Sequence, residues 1–279
     1  MAQQPRLKLN DGKTIPQLGF GVWQVPPEVT HSVVEEAIKA GYISIDTAEG
    51  YQNERGVGEA VRASGVPRDQ LFITSKLRNG GHAYDDALRS FDRTMQELKM
   101  EVLDLFLIHW PVPKQNKYVE AWKALVKLQK DGRIRSIGVS NFNPDHLERI
   151  IGETGVTPVV NQIELHPSFQ QRANREFHKQ HDIKIESWSP LGQGQEINNP
   201  VIAEIAKKHG KTPAQTIIRW HLDEGLIVIP KSVTPHRIHE NFGVFDFKLD
   251  QDDLAKIAAL DNPRGGRMGA DPATADFRF

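Results

Sequence analysis

Short apolar runs alternate with amphipathic stretches along most of the chain. The runs are apolar along nearly their whole length, which is typical of strands buried on both faces. There are eight of them: GFGVW (19–23), YISID (42–46), LFITSKL (71–77), VLDLFLIHW (102–110), IRSIGVSNF (134–142), VVNQIEL (159–165), KIESWSP (184–190) and LIVIPKS (226–232). Because a helical segment follows each run, the pattern predicts parallel strands joined by crossover helices.

The first long amphipathic stretch, VTHSVVEEAIKAG, predicts a helix with one buried face. Gly41 suits the left-handed position just after its last turn. Segments 85–99, 116–132 and 250–260 have the same helical character. The buried face of the first helix is predicted to comprise Val29, Val33, Val34, Ala37 and Ile38.

Eight strand–helix units in 279 residues fit a (β/α)₈ barrel, with residues 1–279 as a single domain. A doubly wound parallel sheet is the alternative. Before the first unit, LKLNDGKTIPQL (7–18) predicts a β-hairpin that turns at Asn10-Asp11-Gly12. After the last helix, residues 262–279 either fold over the barrel mouth or fray.

Composition narrows the function classes. With 38% hydrophobic and 25% charged residues, the chain can build a large core. A formal net charge of −1 gives no field that favours nucleic acid or an anionic membrane. The chain has no cysteine, which excludes disulfides and thiolate chemistry and fits a reducing compartment. No stretch approaches the ~20 apolar residues that span a bilayer. We therefore expect a cytoplasmic protein without nucleic-acid or membrane partners. We further predict a monomer that binds a small molecule and no metal.

Polar side chains close nearly every apolar run. In a barrel, the carboxyl ends of the strands meet at one face, where barrel enzymes carry their chemistry. Reading those ends in chain order gives Asp46, Lys76, His109, Ser140 with Asn141, Gln162 with Glu164, Trp188, and Lys231 with Ser232. The pattern therefore predicts a functional site at this face.

Three of these side chains, together with Tyr51, suit proton transfer to a carbonyl oxygen. Tyr51 follows the second run by five residues, and a nearby Lys76 ammonium is expected to lower the pKa of its phenol. Asp46 would hold the lysine charged. A neutral His109 can donate a hydrogen bond to the same oxygen. Such a group supplies a proton but no electrons, so a hydride carrier is required.

Candidate phosphate-binding features lie late in the chain, and a G-x-G-x-x-G fingerprint is absent. PLGQGQ (190–195) can bring backbone N–H groups close to a pyrophosphate. In KSVTPHRIHEN (231–241), Thr234 is the candidate N-cap and Pro235 the first helical residue. This helix start is flanked by Lys231, Ser232 and Arg237, which predicts an anion site.

Several longer motifs resemble the aldo-keto reductase family, and among its members the bacterial 2,5-diketo-D-gluconate reductases most closely. The matching segments, in the family's order, are DTAEGYQNE (46–54), VGEAV (57–61), FITSKL (72–77), LDLFLIHWP (103–111), SIGVSNF (136–142), NQIELHP (161–167), ESWSPLGQG (186–194), TPAQTIIRWHL (212–222) and IPKSVTPHRIHEN (229–241). The resemblance covers essentially the whole chain. It implies a (β/α)₈ barrel that binds NADPH without a Rossmann domain and reduces aldehydes and ketones, including diketo-gluconate or related dicarbonyls.

The resemblance also implies residue roles. The catalytic set would be Asp46, Tyr51, Lys76 and His109, with Tyr51 as the general acid. Ser140, Asn141 and Gln162 would hold the nicotinamide amide, and Trp188 would stack on its ring. The pyrophosphate would lie along Ser189, Pro190, Leu191, Gly192, Gln193 and Gly194. The adenosine 2′-phosphate would be surrounded by Lys231, Ser232, Val233, Arg237, Glu240 and Asn241.

Substrate contacts are predicted at the remaining strand ends, in an open pocket: Trp23, Glu49, Arg78, His109 and Trp110. Arg78 stands where the diketo-gluconate reductases carry a tryptophan, and it could grip a substrate carboxylate. The carboxylate of Glu49 would disfavour an anionic substrate. Two other functions stay open: a barrel lyase with Lys76 as Schiff-base nucleophile, and a non-catalytic NADPH-binding regulator.

Overall fold

The computed structural model describes residues 4–277 and 279. Strands β1 (Arg6–Lys8) and β2 (Thr14–Pro16) form the predicted hairpin, with Leu7 opposite Ile15. Its turn contains Gly12 at a φ of +84°, a left-handed conformation that glycine adopts without strain. Ile15 is fully buried against side chains from the barrel interior, so the hairpin covers one end of the barrel.

Eight further strands form one parallel sheet in which each strand pairs with its successor in the chain. The strands are β3 (Phe20–Gly21), β4 (Ser44–Asp46), β5 (Phe72–Leu77), β6 (Leu103–Ile108), β7 (Ile134–Ser140), β8 (Val160–Glu164), β9 (Lys184–Trp188) and β10 (Ile227–Val228). Each lies within one of the eight predicted runs.

Backbone contacts between the first and last strands close the sheet. Leu18 bridges Val228 in parallel, the N–H of Gly19 donates to the Val228 carbonyl at 2.9 Å, and the N–H of Gly21 donates to the Pro230 carbonyl at 3.1 Å. A doubly wound sheet would leave both edge strands open, so the (β/α)₈ barrel is confirmed and the alternative is wrong.

Close approach of the strands depends on glycine at two positions. A Cβ atom on Gly21 would lie 3.1 Å from the Ile229 carbonyl oxygen, and one on Gly138 would lie 2.6 Å from the Val160 carbonyl oxygen. Since real Cβ atoms essentially never lie within 3.0 Å of such an atom, a side chain at Gly138 would force β7 and β8 apart, whereas one at Gly21 would require a small shift.

Helices surround the barrel, and contacts between the first and the ninth close their ring. The helices are α1 (Pro27–Ala40), α2 (Glu54–Ala63), α3 (Tyr84–Leu98), α4 (Tyr118–Lys130), α5 (Pro144–Thr154), α6 (Arg172–Gln180), α7 (Pro200–His209), α8 (Pro213–Asp223), α9 (Pro235–Phe242) and α10 (Gln251–Ala258). Among the described residues, no helix has the length and apolar character needed to cross a membrane.

Helix α1 differs from prediction at one position. Val29 is 38% exposed, because the helix starts at Pro27 and Thr30 takes the inward position beside Val33 and Val34. Gly41 follows the helix at a φ of +114°, as predicted.

Alternate residues of a strand point to opposite sides, and this divides the core in two. On β6, Leu105 and Leu107 pack inside the barrel with the hairpin, whereas Phe106 and Ile108 pack outward against the helices. The interior below the carboxyl ends is therefore filled, and polar groups can gather above it.

The C-terminal tail folds across the barrel mouth. Glu164 accepts hydrogen bonds from the N–H groups of Met268 at 2.6 Å and Gly269 at 2.9 Å. Further along, the Nδ2 of Asn79 donates to the Phe277 carbonyl at 3.0 Å. The prediction that the tail folds over the barrel mouth is therefore confirmed, and the alternative that it frays is wrong.

Candidate active site

A cavity of about 1000 Å³ opens at the carboxyl ends of the strands. Aromatic side chains, including Trp23 and Trp110, line one end, and the cationic side chains of Lys231 and Arg237 line the other. The cavity therefore joins the predicted substrate and phosphate regions into one site.

Asp46 and Lys76 form a fully buried ion pair next to Tyr51. The Nζ of Lys76 lies 2.6 Å from Oδ1 of Asp46 and also donates to the Thr47 carbonyl at 2.8 Å. The same Nζ lies 3.4 Å from the Tyr51 hydroxyl, which faces the cavity. Strand ends on β4 and β5 bring this group together, as the sequence predicts.

The pKa values of this group differ from the sequence prediction at Tyr51. Burial raises the pKa of Tyr51 above its ordinary value, and the Lys76 ammonium offsets this only in part. Burial would lower the pKa of Lys76, but its neighbours Asp46, Tyr51 and Glu186 together outweigh burial and raise it. Lys76 lowers the pKa of Tyr51 as expected, but burial outweighs it, so the net shift is upward and not toward working pH. The site holds a protonated phenol beside a permanent cation.

His109 is neutral at physiological pH. Burial and the Lys76 charge both hold its pKa well below the usual range. Its ring packs edge-on against Tyr51, with 5.5 Å between ring centroids, and against Phe279 at 5.2 Å. No described residue pairs with its buried Nδ1 atom. A neutral imidazole in this position can donate one hydrogen bond into the cavity.

A hydrogen-bonded group lies beside the ion pair. The Oγ of Ser140 donates to the Gln162 carbonyl at 2.8 Å, and Nδ2 of Asn141 donates to the His109 carbonyl at 3.0 Å. Trp188 lines the cavity and donates through Nε1 to Oδ1 of Asn141 at 2.8 Å. These four predicted residues therefore meet at one place, and the indole of Trp188 is fixed in orientation.

The segment after β9 forms the middle of the cavity wall. Its lining residues are Ser189, Pro190, Leu191, Gln193 and Gly194. Gly192 differs from prediction because it turns away and packs against Glu196, whose Cγ would lie 2.5 Å from an added Cβ.

At the far end, Lys231 and Arg237 line the cavity together with Ser232, Glu240 and Asn241. Glu240 accepts a hydrogen bond from Oγ1 of Thr212 at 3.0 Å. Among the described residues, no carboxylate forms an ion pair with Lys231 or Arg237. Val233, predicted here, is 46% exposed and lies outside the lining. Thr234 precedes α9 at the N-cap position, as predicted, but its side chain makes no capping hydrogen bond. Its backbone N–H donates to Oγ of Ser232 at 3.1 Å.

Two predicted substrate contacts lie outside the cavity lining. The carboxylate of Glu49 lies 3.1 Å from Nη2 of Arg93 and 3.5 Å from Nε of Arg78. The Arg78 backbone N–H also donates to it at 3.3 Å. Glu49 therefore pairs with Arg93 of α3 and with Arg78, and neither Glu49 nor Arg78 lines the cavity.

Several residues at the site escape sequence reasoning. Phe277 and Phe279 line the cavity, and Phe277 packs edge-on against Trp110 with 5.0 Å between centroids. Only the fold of the tail places them there. Glu186, in the middle of β9, is fully buried beside Gln162. The sequence could have identified Glu186, because it stands two residues before Trp188 and therefore lies on the same face of the strand.

His166 was also missed. Its ring lies between two carboxylates, with Nε2 at 3.0 Å from Glu164 and Nδ1 at 2.8 Å from Glu196. Burial would lower the pKa of His166, but the two carboxylates outweigh it and raise the pKa. Glu164 holds the tail, and Glu196 holds the loop that carries Gly192. His166 therefore links the C-terminal tail to the loop after β9.

The cavity fits a phosphorylated dinucleotide. One end offers a phenol, a neutral imidazole and an indole face, which suit a nicotinamide and a carbonyl oxygen. The other end offers two cations without carboxylate partners among the described residues, which suit a phosphate. The wall between them is a loop with left-handed backbone at Ser189, Gln193 and Gly194. These features need no Rossmann domain.

Known proteins resemble the chain over its whole length. A model of the Aldo/keto reductase family matches residues 17–262. An aldo-keto reductase of Mycolicibacterium smegmatis is 54% identical over 273 residues, covering 98% of both chains. Methylglyoxal reductase DkgA of Escherichia coli is 53% identical over 275 residues, again covering 98% of both.

Solved structures give the same result. A mutant of Gox0644 in complex with NADPH has a TM-score of 0.95 and 55% identity, covering 99% of this chain and all of that one. An aldo-keto reductase of Bombyx mori in complex with NADP has a TM-score of 0.89 and 33% identity, covering 96% of both chains.

Proposed function

Because the chain belongs to the aldo/keto reductase family and is an NADP-dependent oxidoreductase, we propose that it reduces small uncharged aldehydes and dicarbonyl compounds, with Tyr51 as the proton donor. The single observation that carries this proposal is the Tyr51 hydroxyl at the cavity, 3.4 Å from the ammonium of Lys76.

Each residue has a separate role in the proposed reduction. Tyr51 donates its proton to the carbonyl oxygen as negative charge develops there. The fixed charge of Lys76 stabilises the phenolate that remains, and Asp46 keeps Lys76 protonated. His109 donates a hydrogen bond to the same oxygen and so orients the carbonyl. NADPH, when bound, supplies the hydride that reduces the carbonyl carbon.

Bound cofactor would be held by the predicted residues that line the cavity. Asn141 and Gln162 would contact the nicotinamide amide, and Trp188 would cover its ring. Ser189–Gly194 would follow the pyrophosphate, and Lys231 with Arg237 would hold the 2′-phosphate. Val233 and Gly192 contribute backbone only in this proposal, since neither lines the cavity.

The substrate end supports an uncharged substrate. Trp23, Trp110, Phe277 and Phe279 line it, and their rings favour apolar or flat molecules. Arg78, the predicted anchor for a substrate carboxylate, is engaged with Glu49 at 3.5 Å. The methylglyoxal reductases among the relatives agree with a small dicarbonyl substrate. Diketo-gluconate is the second candidate.

Steady-state kinetics test the proposal. We expect NADPH to be oxidised with methylglyoxal and with an aromatic aldehyde at a higher kcat/KM than with a diketo acid. A higher kcat/KM for the diketo acid would contradict the uncharged-substrate proposal. If no carbonyl compound is reduced, the alternative of a non-catalytic NADPH-binding regulator gains support. A Schiff-base lyase requires a neutral lysine, whereas Asp46 raises the pKa of Lys76.

Removing the two cations at the far end should change cofactor preference. We expect Lys231→Ala and Arg237→Ala each to raise KM for NADPH by about tenfold to a hundredfold, because a hydrogen bond to a charged group contributes about 1.5–3 kcal/mol. KM for NADH should change little, since NADH lacks the 2′-phosphate. Initial rates with both cofactors measure this.

Lys248→Ala is the matched control for these variants. Lys248 is exposed and does not line the cavity, so its loss should leave both KM values unchanged. An equal rise in KM for NADPH and NADH in the Lys231 and Arg237 variants would contradict the 2′-phosphate assignment.

We also propose that residues 1–279 act as a single-domain monomer in the cytoplasm. The cavity is lined by one chain from its aromatic end to its cationic end, which supports a monomer. The absence of cysteine fits a reducing compartment. Light scattering of the purified protein and cell fractionation test the two statements separately.

A further inference from the structure

A second carboxyl group lies in the barrel interior beside the Asp46–Lys76 pair. Glu186 of β9 is 1% exposed, and its Oε2 accepts a hydrogen bond from Nε2 of Gln162 at 2.8 Å. The same Nε2 donates to Oδ2 of Asp46 at 2.8 Å. One amide nitrogen of Gln162 therefore bridges two carboxyl groups.

This bridge fixes the orientation of the Gln162 amide. Only the NH₂ group can donate to two acceptors at once, so each of its hydrogens is committed. The Oε1 atom of Gln162 accepts no hydrogen bond from the described residues, and Gln162 lines the cavity. Asp46 and Glu186 together thus leave Gln162 with an acceptor, and no donor, for a bound molecule.

The charge balance around Glu186 gives it a second effect. Its charged and titratable surroundings are Asp46 from β4, Lys76 from β5 and, beyond Lys76, Tyr51. Ile227 of β10 is its apolar register neighbour. Burial and the Asp46 charge raise the pKa of Glu186 to about 8. At neutral pH the interior therefore holds one ion pair and one neutral acid.

We propose that Glu186 is a positioning residue for carbonyl reduction, which orients the Gln162 amide toward the cavity and sets how tightly Tyr51 holds its proton. This rests on the proposed function of Tyr51. The effect of Glu186 on the pKa of Tyr51 has a definite sign. Once Glu186 ionises, its negative charge raises the pKa of Tyr51. The phenol then stays protonated to higher pH, which extends carbonyl reduction and suppresses alcohol oxidation, since oxidation needs the phenolate.

Substitution by glutamine separates the two effects. Glu186→Gln keeps a carbonyl oxygen for Gln162 but cannot ionise. We expect its alkaline limit for reduction to move to lower pH and its rate of alcohol oxidation above about pH 8 to rise several-fold. Affinity for NADPH, measured by quenching of tryptophan fluorescence, should stay within about twofold of wild type.

Two further variants complete the series. Glu186→Leu removes this acceptor as well and leaves the Gln162 amide held by Asp46 alone, and we expect NADPH affinity to fall by about tenfold. Glu186→Asp keeps an ionisable group and should restore part of the wild-type pH profile. Glu148→Gln, an exposed glutamate on α5, is the surface control and should change nothing.

A titration without cofactor or substrate keeps this inference separate from the proposed function. The ultraviolet absorbance of tyrosinate, with the signal of a Tyr51→Phe protein subtracted, reports the Tyr51 pKa directly. We expect a lower Tyr51 pKa in Glu186→Gln than in wild type. Identical titrations together with identical pH profiles would overturn the role of Glu186. A shifted titration in a protein that reduces no carbonyl compound would overturn only the proposed function.

Discussion

Replacing Tyr51 with phenylalanine is expected to lower kcat for carbonyl reduction by about 10²–10⁴-fold, the usual contribution of a positioned general acid. The variant loses one oxygen atom and keeps the ring that packs edge-on against His109. NADPH affinity should therefore stay close to wild type. Single-turnover absorbance at the NADPH band measures the chemical step, and fluorescence titration measures binding.

Tyr84→Phe is the matched control for this variant. Tyr84 is half-buried at the start of α3 and does not line the cavity, so its hydroxyl should be dispensable. Turnover in Tyr51→Phe within tenfold of wild type would mean that another group delivers the proton. His109 would then be the next candidate, because its ring packs against Tyr51 and lines the same cavity.

The sequence predicted where the strand-end residues lie, because the spacing of the apolar runs and their order along the chain determine these positions. Eight apolar runs in succession allow few topologies, and a closed parallel barrel places the carboxyl ends on one face. Asp46, Lys76 and His109 end three successive strands, so their proximity could be predicted without coordinates. The role of Tyr51, five residues beyond a strand, followed from the chemistry of a phenol close to Lys76, and the resemblance to a family gave the same role.

The sequence could not predict properties that depend on two opposing effects, such as the pKa of a buried side chain. Whether the pKa of Tyr51 rises or falls depends on the depth of burial against a charge 3.4 Å away, and the sequence gives neither quantity. The orientation of Glu49 depended in the same way on Arg93, which another helix supplies from 44 positions along the chain. Pairings between distant segments decide both outcomes.

The ion pair behind the tyrosine offers the second large effect, this time on stability. Lys76→Met removes a cation whose side chain is 0% exposed and leaves Asp46, 3% exposed, without its partner. Breaking a buried pair in this way typically costs about 3–5 kcal/mol, because the remaining charge stays desolvated. We expect a loss of that size in the free energy of unfolding at neutral pH, measured by urea denaturation.

The double variant Asp46→Asn with Lys76→Met shows whether the pair serves stability or chemistry. With both charges gone and Gln162 still facing an amide oxygen, most of the lost stability should return. Activity should not return, because the ammonium that offsets burial at Tyr51 is absent and the phenol becomes a weaker acid. If both stability and activity returned, Lys76 would contribute to activity only by stabilising the fold. If neither returned, the main partner of Lys76 would not be Asp46.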